Sequence, residues 1–302
     1  MKKVLLTGSS GFIGTKLQEI LMQRGYKIFG VSSQPSRSEY VCDLRQKESV
    51  EKLLVSTSPD IVVHAAALSS VTRGSVIEYY ESNVLATDNI ISSLRLLGGR
   101  KRIIFLSSAA VYGNQPGIEF LTENLCPKPI SHYGLSKYVC ERILINSMVE
   151  HDITIVRPFN LVGNGQNSEF IIPKIIEHFV RGEKEIRLGN LKPTRDFIDL
   201  DIASRMICDL IDMPKSIGEI FNLCSGHGYS VQDLIDYMVE ITGREIKVIA
   251  DPAFVRKSEV WRLHGSVEKL IKIFPEHASY RMPMKRCLHE LFENIKHSFK
   301  GA

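Results

Sequence analysis

No stretch of this chain approaches the roughly 18 uninterrupted apolar residues of a membrane span. The start, Met1-Lys2-Lys3, has the charge of a signal peptide, but the apolar run after it, Val4-Leu5-Leu6, stops at Thr7-Gly8. A secretory core needs about 7–15 apolar residues. The six cysteines (Cys42, Cys126, Cys140, Cys208, Cys224 and Cys287) are scattered, with no CxxC or CxxH spacing. Neither a disulfide framework nor a metal site is expected from them. An excess of one charge is missing too: 38 basic side chains against 34 acidic leave a formal net charge of +4. That is too weak and too dispersed to argue for nucleic acid, while leaving room for a local basic pocket that holds an anionic small molecule. Internal repeats, biased tracts and linker-like stretches are absent as well. Together these absences predict a cytoplasmic protein with reduced cysteines and no membrane or nucleic-acid partner.

What is present is an even composition, 44% hydrophobic and 24% charged, over 302 residues. Such a chain buries a large core as one big domain or two smaller ones. Short β-branched runs at 2–8, 26–32, 60–66, 102–108 and 152–158 alternate with helical patterns at 15–25, 47–56, 82–98 and 136–150. Strand-then-helix repetition with strands apolar on both faces predicts an α/β fold, a doubly wound parallel sheet covered on both sides. After Pro158 the rhythm breaks. A helix is expected at 171–183, another at 195–211, a strand at 218–226 and a helix at 230–243 behind a Ser230 N-cap. The expected division is a first domain at 1–160, with 196–226 returning to it, and a smaller mixed α/β lobe over 161–302.

The first specific pattern is VLLTGSSGFIGTKL at residues 4–17. Its glycines, Gly8, Gly11 and Gly14, stand after an expected strand and before an expected helix. Gly8 permits the tight turn, Gly11 lets backbone approach a pyrophosphate, and Gly14 lets helix pack closely on strand. The helix's unpaired N–H groups then face the phosphates. A dinucleotide is expected here. An NAD site ordinarily carries an acid about 20 residues on, at the end of the second strand, to hold the ribose 2′-hydroxyl. Here that strand ends FGVSSQPSR, with Ser32 and Ser33 in the acid's place and Arg37 following. A missing carboxylate removes repulsion of a 2′-phosphate and Arg37 is placed to contact one, so NADP(H) is favoured over NAD(H). The other reading of Arg37 is a solvated loop charge. Asp43, after a third strand, either meets the adenine edge or caps the next helix.

The stretch SHYGLSKYVCE, residues 131–141, puts Tyr133 and Lys137 four residues apart on one helical face. Such a pair is either an ordinary half-buried contact or an acid tuned for proton transfer. The eleven residues alone do not decide. Around them stand the glycine loop, HAAA at 64–67, SSAAVYG at 107–113 and RPFN at 157–160. In this order the motifs resemble the extended short-chain dehydrogenase/reductases, and more narrowly the NAD-dependent epimerase/dehydratase family acting on nucleotide sugars, over essentially the full length.

The resemblance implies a Rossmann-type dinucleotide domain and a nucleotide-sugar lobe. It implies Tyr133 as proton donor or acceptor at a sugar hydroxyl or ketone. Lys137 would hold the nicotinamide ribose and lower the Tyr133 pKa, and Ser108 would bond the reacting oxygen. Contacts to the dinucleotide follow for Phe12, Ile13, Leu44, Ala65, Ala66, Asn83 and Arg157, beside the glycines, Ser32, Arg37 and Asp43. A 4,6-dehydratase needs carboxylates directly after the catalytic Ser; here Ala109 and Ala110 stand there, so dehydration is not expected.

The second half (156–166, 189–202, 221–234 and 251–270) is similar to the GDP-4-keto-6-deoxy-D-mannose reductases of that family. This implies NAD(P)H-dependent reduction of a GDP-linked 4-keto-6-deoxyhexose to GDP-D-rhamnose. The alternative is a nucleotide-sugar 4-epimerase with tightly bound NAD. Arg195 and Arg256 are expected to face the substrate diphosphate, Glu259 a ribose hydroxyl or guanine edge, and Asn160 substrate or phosphate. Trp261, the only tryptophan, is expected to pack within the second lobe. The family resemblance also implies a homodimer through helices at 79–98 and 136–150.

Overall fold

The computed structural model describes residues 1–34, 40–69, 75–254, 259–279 and 282–300. The chain divides into two compact units, one of Met1–Gly113, Glu123–Pro158 and Ala203–Leu223, the other of Asn114–Thr122, Phe159–Ile202 and Cys224–Ala302.

In the first unit β1 (Lys3–Thr7) feeds α1 (Phe12–Gln23), and β2 (Lys27–Ser32) leads through β3 (Tyr40–Val41) to α2 (Lys47–Thr57). Strand β4 (Ile61–His64) is followed by α3 (Val76–Tyr79), which runs through a π-helical turn at Tyr80–Leu85 into α4 (Ala86–Leu97). Strand β5 (Arg102–Leu106), helix α5 (His132–Asn146) and strand β6 (Asp152–Pro158) complete the alternation. In the second unit β7 (Asn160–Val162), α6 (Ile171–Arg181), β8 (Glu185–Leu188) and β9 (Thr194–Asp199) precede α7 (Leu200–Ile211). From Ala203 the chain belongs to the first unit, giving it most of α7 and then β10 (Ile220–Leu223). The second continues with β11 (Gly228–Ser230), α8 (Val231–Thr242), β12 (Lys247–Ala250), β13 (Arg262–Leu263), α9 (Glu268–Ile273) and α10 (Met284–Lys300).

The first unit is the expected doubly wound parallel sheet, seven strands in the order β10-β6-β5-β4-β1-β2-β3. Every neighbouring pair is parallel. The central strands are buried beyond their first residues because helices cover both faces. Leu5, Phe29, Val62, Ile90, Phe105 and Ile153 belong to one core that joins sheet and helices. Strand order reverses between β1 and β4, and at such a point the loops beyond the carboxyl ends separate and leave a crevice.

The second unit pairs β9 with β7, β11 and β13, and β8 with β12. Ile176, Phe179, Leu234, Met238 and Leu288 pack in its core. The Ser230 cap is present: its side chain accepts from the Asp233 amide, and Asp233 reaches back to the Ser230 amide. The single helix expected at 195–211 is instead a strand followed by a helix. Asp199 makes the break, because its Oδ1 accepts from the amides of Asp201 and Ile202 at 2.9 and 3.0 Å and starts the helix at Leu200. Among the described residues no helix is long and apolar enough to cross a membrane.

Candidate active site

Backbone alone builds the first part of the site. At Gly8, φ is +70°, and a Cβ there would lie 2.8 Å from the Cα and N of Ala66 and 3.0 Å from the carbonyl carbon of Ala65. At Gly14 a Cβ would lie 2.0 Å from the Gly8 oxygen. Both positions exclude any side chain, so β1, the loop, α1 and the Ala65–Ala66 segment come into direct contact. Gly11 is the extended N-cap of α1 and supplies no side-chain cap, and the helix opens with Phe12, Ile13 and Gly14. This is a glycine turn at a helix N-terminus, which fits a pyrophosphate.

At the end of β2, Ser32 is nearly buried, and its Oγ accepts from the Gln34 amide at 3.3 Å. Arg37 lies outside the described residues. Asp43 does not cap α2, whose N-cap is Gln46; its side chain is 38% exposed. Its Oδ1 takes the Arg45 Nε at 2.9 Å and its Oδ2 the Nη2 at 2.8 Å. The guanidinium holds this carboxyl below its ordinary pKa. Leu44 packs against the core, and its carbonyl accepts from Asn89 Nδ2 at 2.9 Å.

Ser131 starts α5 by accepting from the Gly134 amide at 3.1 Å, which puts Tyr133 in the first turn and Lys137 in the second. Gly134 has a packing role that sequence reasoning missed. A Cβ there would lie 2.5 Å from the Ala110 oxygen, so the helix seats directly on the short turn after Ser108. Burial, the largest influence, raises the Tyr133 phenol above its ordinary pKa, against the opposing influence of the neighbouring Ser108 side chain. The expected lowering by Lys137 is therefore not the dominant effect here. Lys137 is 2% exposed, with its ammonium 4.3 Å from the Phe105 ring centre. Burial lowers it to about 8. Behind it His64 is held by Thr7 Oγ1 at 2.7 Å and Thr87 Oγ1 at 3.0 Å. Burial pushes this imidazole down to about 3, so it is neutral at ordinary pH.

Asn83 and Arg157, both assigned to the dinucleotide, make hydrogen bonds within the protein. Asn83, in the π-helical turn, accepts from the Leu68 amide at 2.8 Å and donates to Ser136 Oγ at 2.9 Å. Arg157 is 2% exposed and grips Glu141 with two bonds, Nε to Oε1 at 2.9 Å and Nη2 to Oε2 at 2.7 Å. A guanidinium on an inner strand needs an anion inside the protein. Its partner is four residues beyond Lys137, a spacing visible in the sequence.

In the second unit Arg195 and Glu259, each assigned to substrate, bond to one another, Nη2 to Oε1 at 2.6 Å. Asn160 Nδ2 donates to the Asp196 carbonyl at 2.8 Å, and Arg256 lies outside the described residues. Asp196 is fully buried, and its carboxylate accepts from the Ser225 amide and hydroxyl, both at 2.7 Å, and from the Gly226 amide at 2.9 Å. Burial raises it to about 6 against these bonds. Trp261 does not pack inside the unit as expected: it is 57% exposed. Its carbonyl accepts from the Thr194 amide at 2.9 Å, which holds the segment before β13 beside β9. Among the described residues no cluster of metal-binding side chains occurs.

The profile of the NAD dependent epimerase/dehydratase family matches residues 4–224. The chain belongs to this family. Its relatives include a GDP-6-deoxy-D-talose 4-dehydrogenase of Aggregatibacter actinomycetemcomitans, 36% identical over 97% of each chain. A GDP-6-deoxy-D-mannose reductase of Pseudomonas aeruginosa is 26% identical over 89% of this chain and 90% of its own. Among solved structures, a putative epimerase of Burkholderia cenocepacia J2315 superposes with a TM-score of 0.87 at 30% identity, covering 98% of each chain. Structures of the same fold have been solved with NAD and with NADPH. This member of the epimerase/dehydratase family is an NAD(P)-dependent enzyme, and its glycine cradle lies at the N-terminal end of the matched segment.

Proposed function

We propose that this enzyme reduces the 4-keto group of GDP-4-keto-6-deoxy-D-mannose. The observation that carries this reading is that Gly134 seats the start of α5 on the turn after Ser108, which brings Ser108 beside the buried Tyr133, with Lys137 one turn along the helix. The nicotinamide, when bound, supplies the hydride that reaches C4. Tyr133 gives its hydroxyl proton to the carbonyl oxygen, so C=O becomes CH–OH, and Ser108 donates a hydrogen bond to the same oxygen. Burial favours Tyr133 in its protonated form, the one a proton donor needs. Lys137 stays cationic below about pH 8 and is the group to hold the nicotinamide ribose. The amides of the Gly11–Gly14 turn hold the pyrophosphate. Ala109 and Ala110 carry no proton, which disfavours loss of water from the sugar.

GDP-D-rhamnose is the product implied by the resemblance to GDP-4-keto-6-deoxy-D-mannose reductases. The greater identity to the talose enzyme, 36% against 26%, favours its C4 epimer, GDP-6-deoxy-D-talose. The two differ only in the face of C4 that receives hydride. NADP(H) is the favoured coenzyme, because Ser32 and Ser33 leave the end of β2 without a carboxylate. A homodimer through α3, α4 and α5 is part of this reading; Val76, Ile77, Leu85 and Leu135 are exposed there. The likeness to a putative epimerase supports a second reading, 4-epimerisation with retained NAD.

Purified protein given GDP-4-keto-6-deoxy-D-mannose is expected to oxidise NADPH faster than NADH. The H3–H4 coupling of the product distinguishes the talose from the rhamnose epimer. No oxidation, with NAD released on denaturation, would replace ketoreduction by epimerisation.

A further inference from the structure

Under the proposed catalytic groups lies a buried polar network that the reaction does not itself require. Glu141 Oε1 takes bonds from Arg157 Nε at 2.9 Å and from Ser107 Oγ, and Oε2 takes Arg157 Nη2 at 2.7 Å. The Arg157 guanidinium lies 4.8 Å from the Tyr112 ring centre, and the Tyr112 hydroxyl donates to Asn222 Oδ1 at 2.7 Å. One carboxylate thus ties three elements: the end of β5, helix α5 and strand β6. Ser107 precedes Ser108 in the chain. Glu141 follows Lys137 by one helical turn, on the same face.

Burying an ion pair contributes little net stability, because desolvation offsets the attraction, and apolar replacement is often neutral. What the pair supplies is direction and charge balance. Charges and titratable groups near Lys137 are Glu141 and Cys140 on its own helix and the neutral His64 from β4. Tyr133 faces Ser108 from the end of β5, Tyr79 from α3 and Cys140. Glu123 lies near Tyr112 and its carbonyl accepts from Arg157 Nη1 at 3.5 Å.

We propose that Glu141 and Arg157 are positioning residues for the reaction: their pair locks α5, with Tyr133 and Lys137, to the strand end carrying Ser108, and keeps the charge beneath those groups balanced at zero. This rests on Tyr133 being the proton donor, as in the ketoreductase reading.

Opposite single substitutions separate this from a merely structural role. Glu141→Gln leaves an unbalanced cation, and Arg157→Met leaves an unbalanced anion. Tyr133 ionisation is followed by ultraviolet difference titration of each variant against the same variant carrying Tyr133→Phe, a readout that needs no substrate. Glu141→Gln is expected to move the Tyr133 midpoint down and Arg157→Met to move it up, each by on the order of one pH unit. The alkaline limb of kcat is expected to move the same way. The double variant Glu141→Gln/Arg157→Met is expected to fold and to return within about 0.3 units of the parent, since the pair's net charge is again zero. Shifts of one sign in both folded single variants, or none, would overturn the proposal. If a single variant does not fold, a displacement beyond about half a unit in the double variant overturns it instead. Opposite titration shifts in a protein that turns over no keto sugar would keep the network and discard the ketoreductase reading alone.

Discussion

Tyr133 sits where burial holds its proton on while the neighbouring Ser108 side chain pulls the other way. Tyr133→Phe is expected to lower kcat by about 10²–10⁴ with little change in dinucleotide affinity, read as quenching of protein fluorescence during a cofactor titration. Lys137 adds a pH limb of its own. Its ammonium is lowered to about 8, so it is charged below that pH and neutral above it. Turnover is therefore expected to fall as pH rises through about 8. A flat rate across that window would remove Lys137's charge from the mechanism. Gly134 is the residue whose smallness brings the helix onto the Ser108 turn, since a Cβ would meet the Ala110 oxygen at 2.5 Å. Gly134→Ala is expected to force α5 outward and to reduce kcat more than KM changes. The Tyr133/Lys137 spacing was legible because i and i+4 share a helical face whatever the tertiary fold. Gly134 was not, because its constraint comes from residue 110.

At the scale of elements, strand β9 carries the clearest lesson. Its sequence, followed by an amphipathic run, reads as one helix, yet Asp199 caps the helix from inside that pattern. Phe197 and Ile198 are both buried, and β9 has neighbours in β7, β11 and β13 that lie far away in sequence. Asp196 on this strand gathers the Ser225–Gly226 turn. Asp196→Ala is expected to leave those donors unmet and to cost about 3 kcal/mol, measured by denaturant unfolding. At the start of α8 the N-cap was visible from Ser230, and the structure adds the return bond from Asp233. Ser230→Ala is expected to cost about 1 kcal/mol, seen as a small fall in the thermal midpoint.

For the whole molecule, His64 links folding to pH. An unfolded imidazole takes up a proton below about pH 6.5, whereas the folded one, with both nitrogens bonded, stays neutral down to about 3. Its contribution is fully present above pH 6.5 and is lost as pH falls toward 3. Unfolding free energy is expected to drop across that window. In His64→Asn its slope is expected to be shallower by about one proton, checked by denaturant titrations at several pH values. An unchanged slope would assign the acid lability to other groups.

The sequence by itself determined the alternating parallel sheet, the glycine turn, the Tyr133–Lys137 face and the family, because each depends on spacing within a few residues or on the order of such spacings. Tertiary structure alone decided the charge partners. Arg157 goes to Glu141 and Arg195 to Glu259. It also decided that residues 114–122 join the second unit, where the amide of Leu121 bonds to the carbonyl of His264. The physical reason is common to these cases. A buried charge or backbone group must be satisfied inside the protein, and which partner satisfies it is settled by the strands and helices that the fold brings alongside.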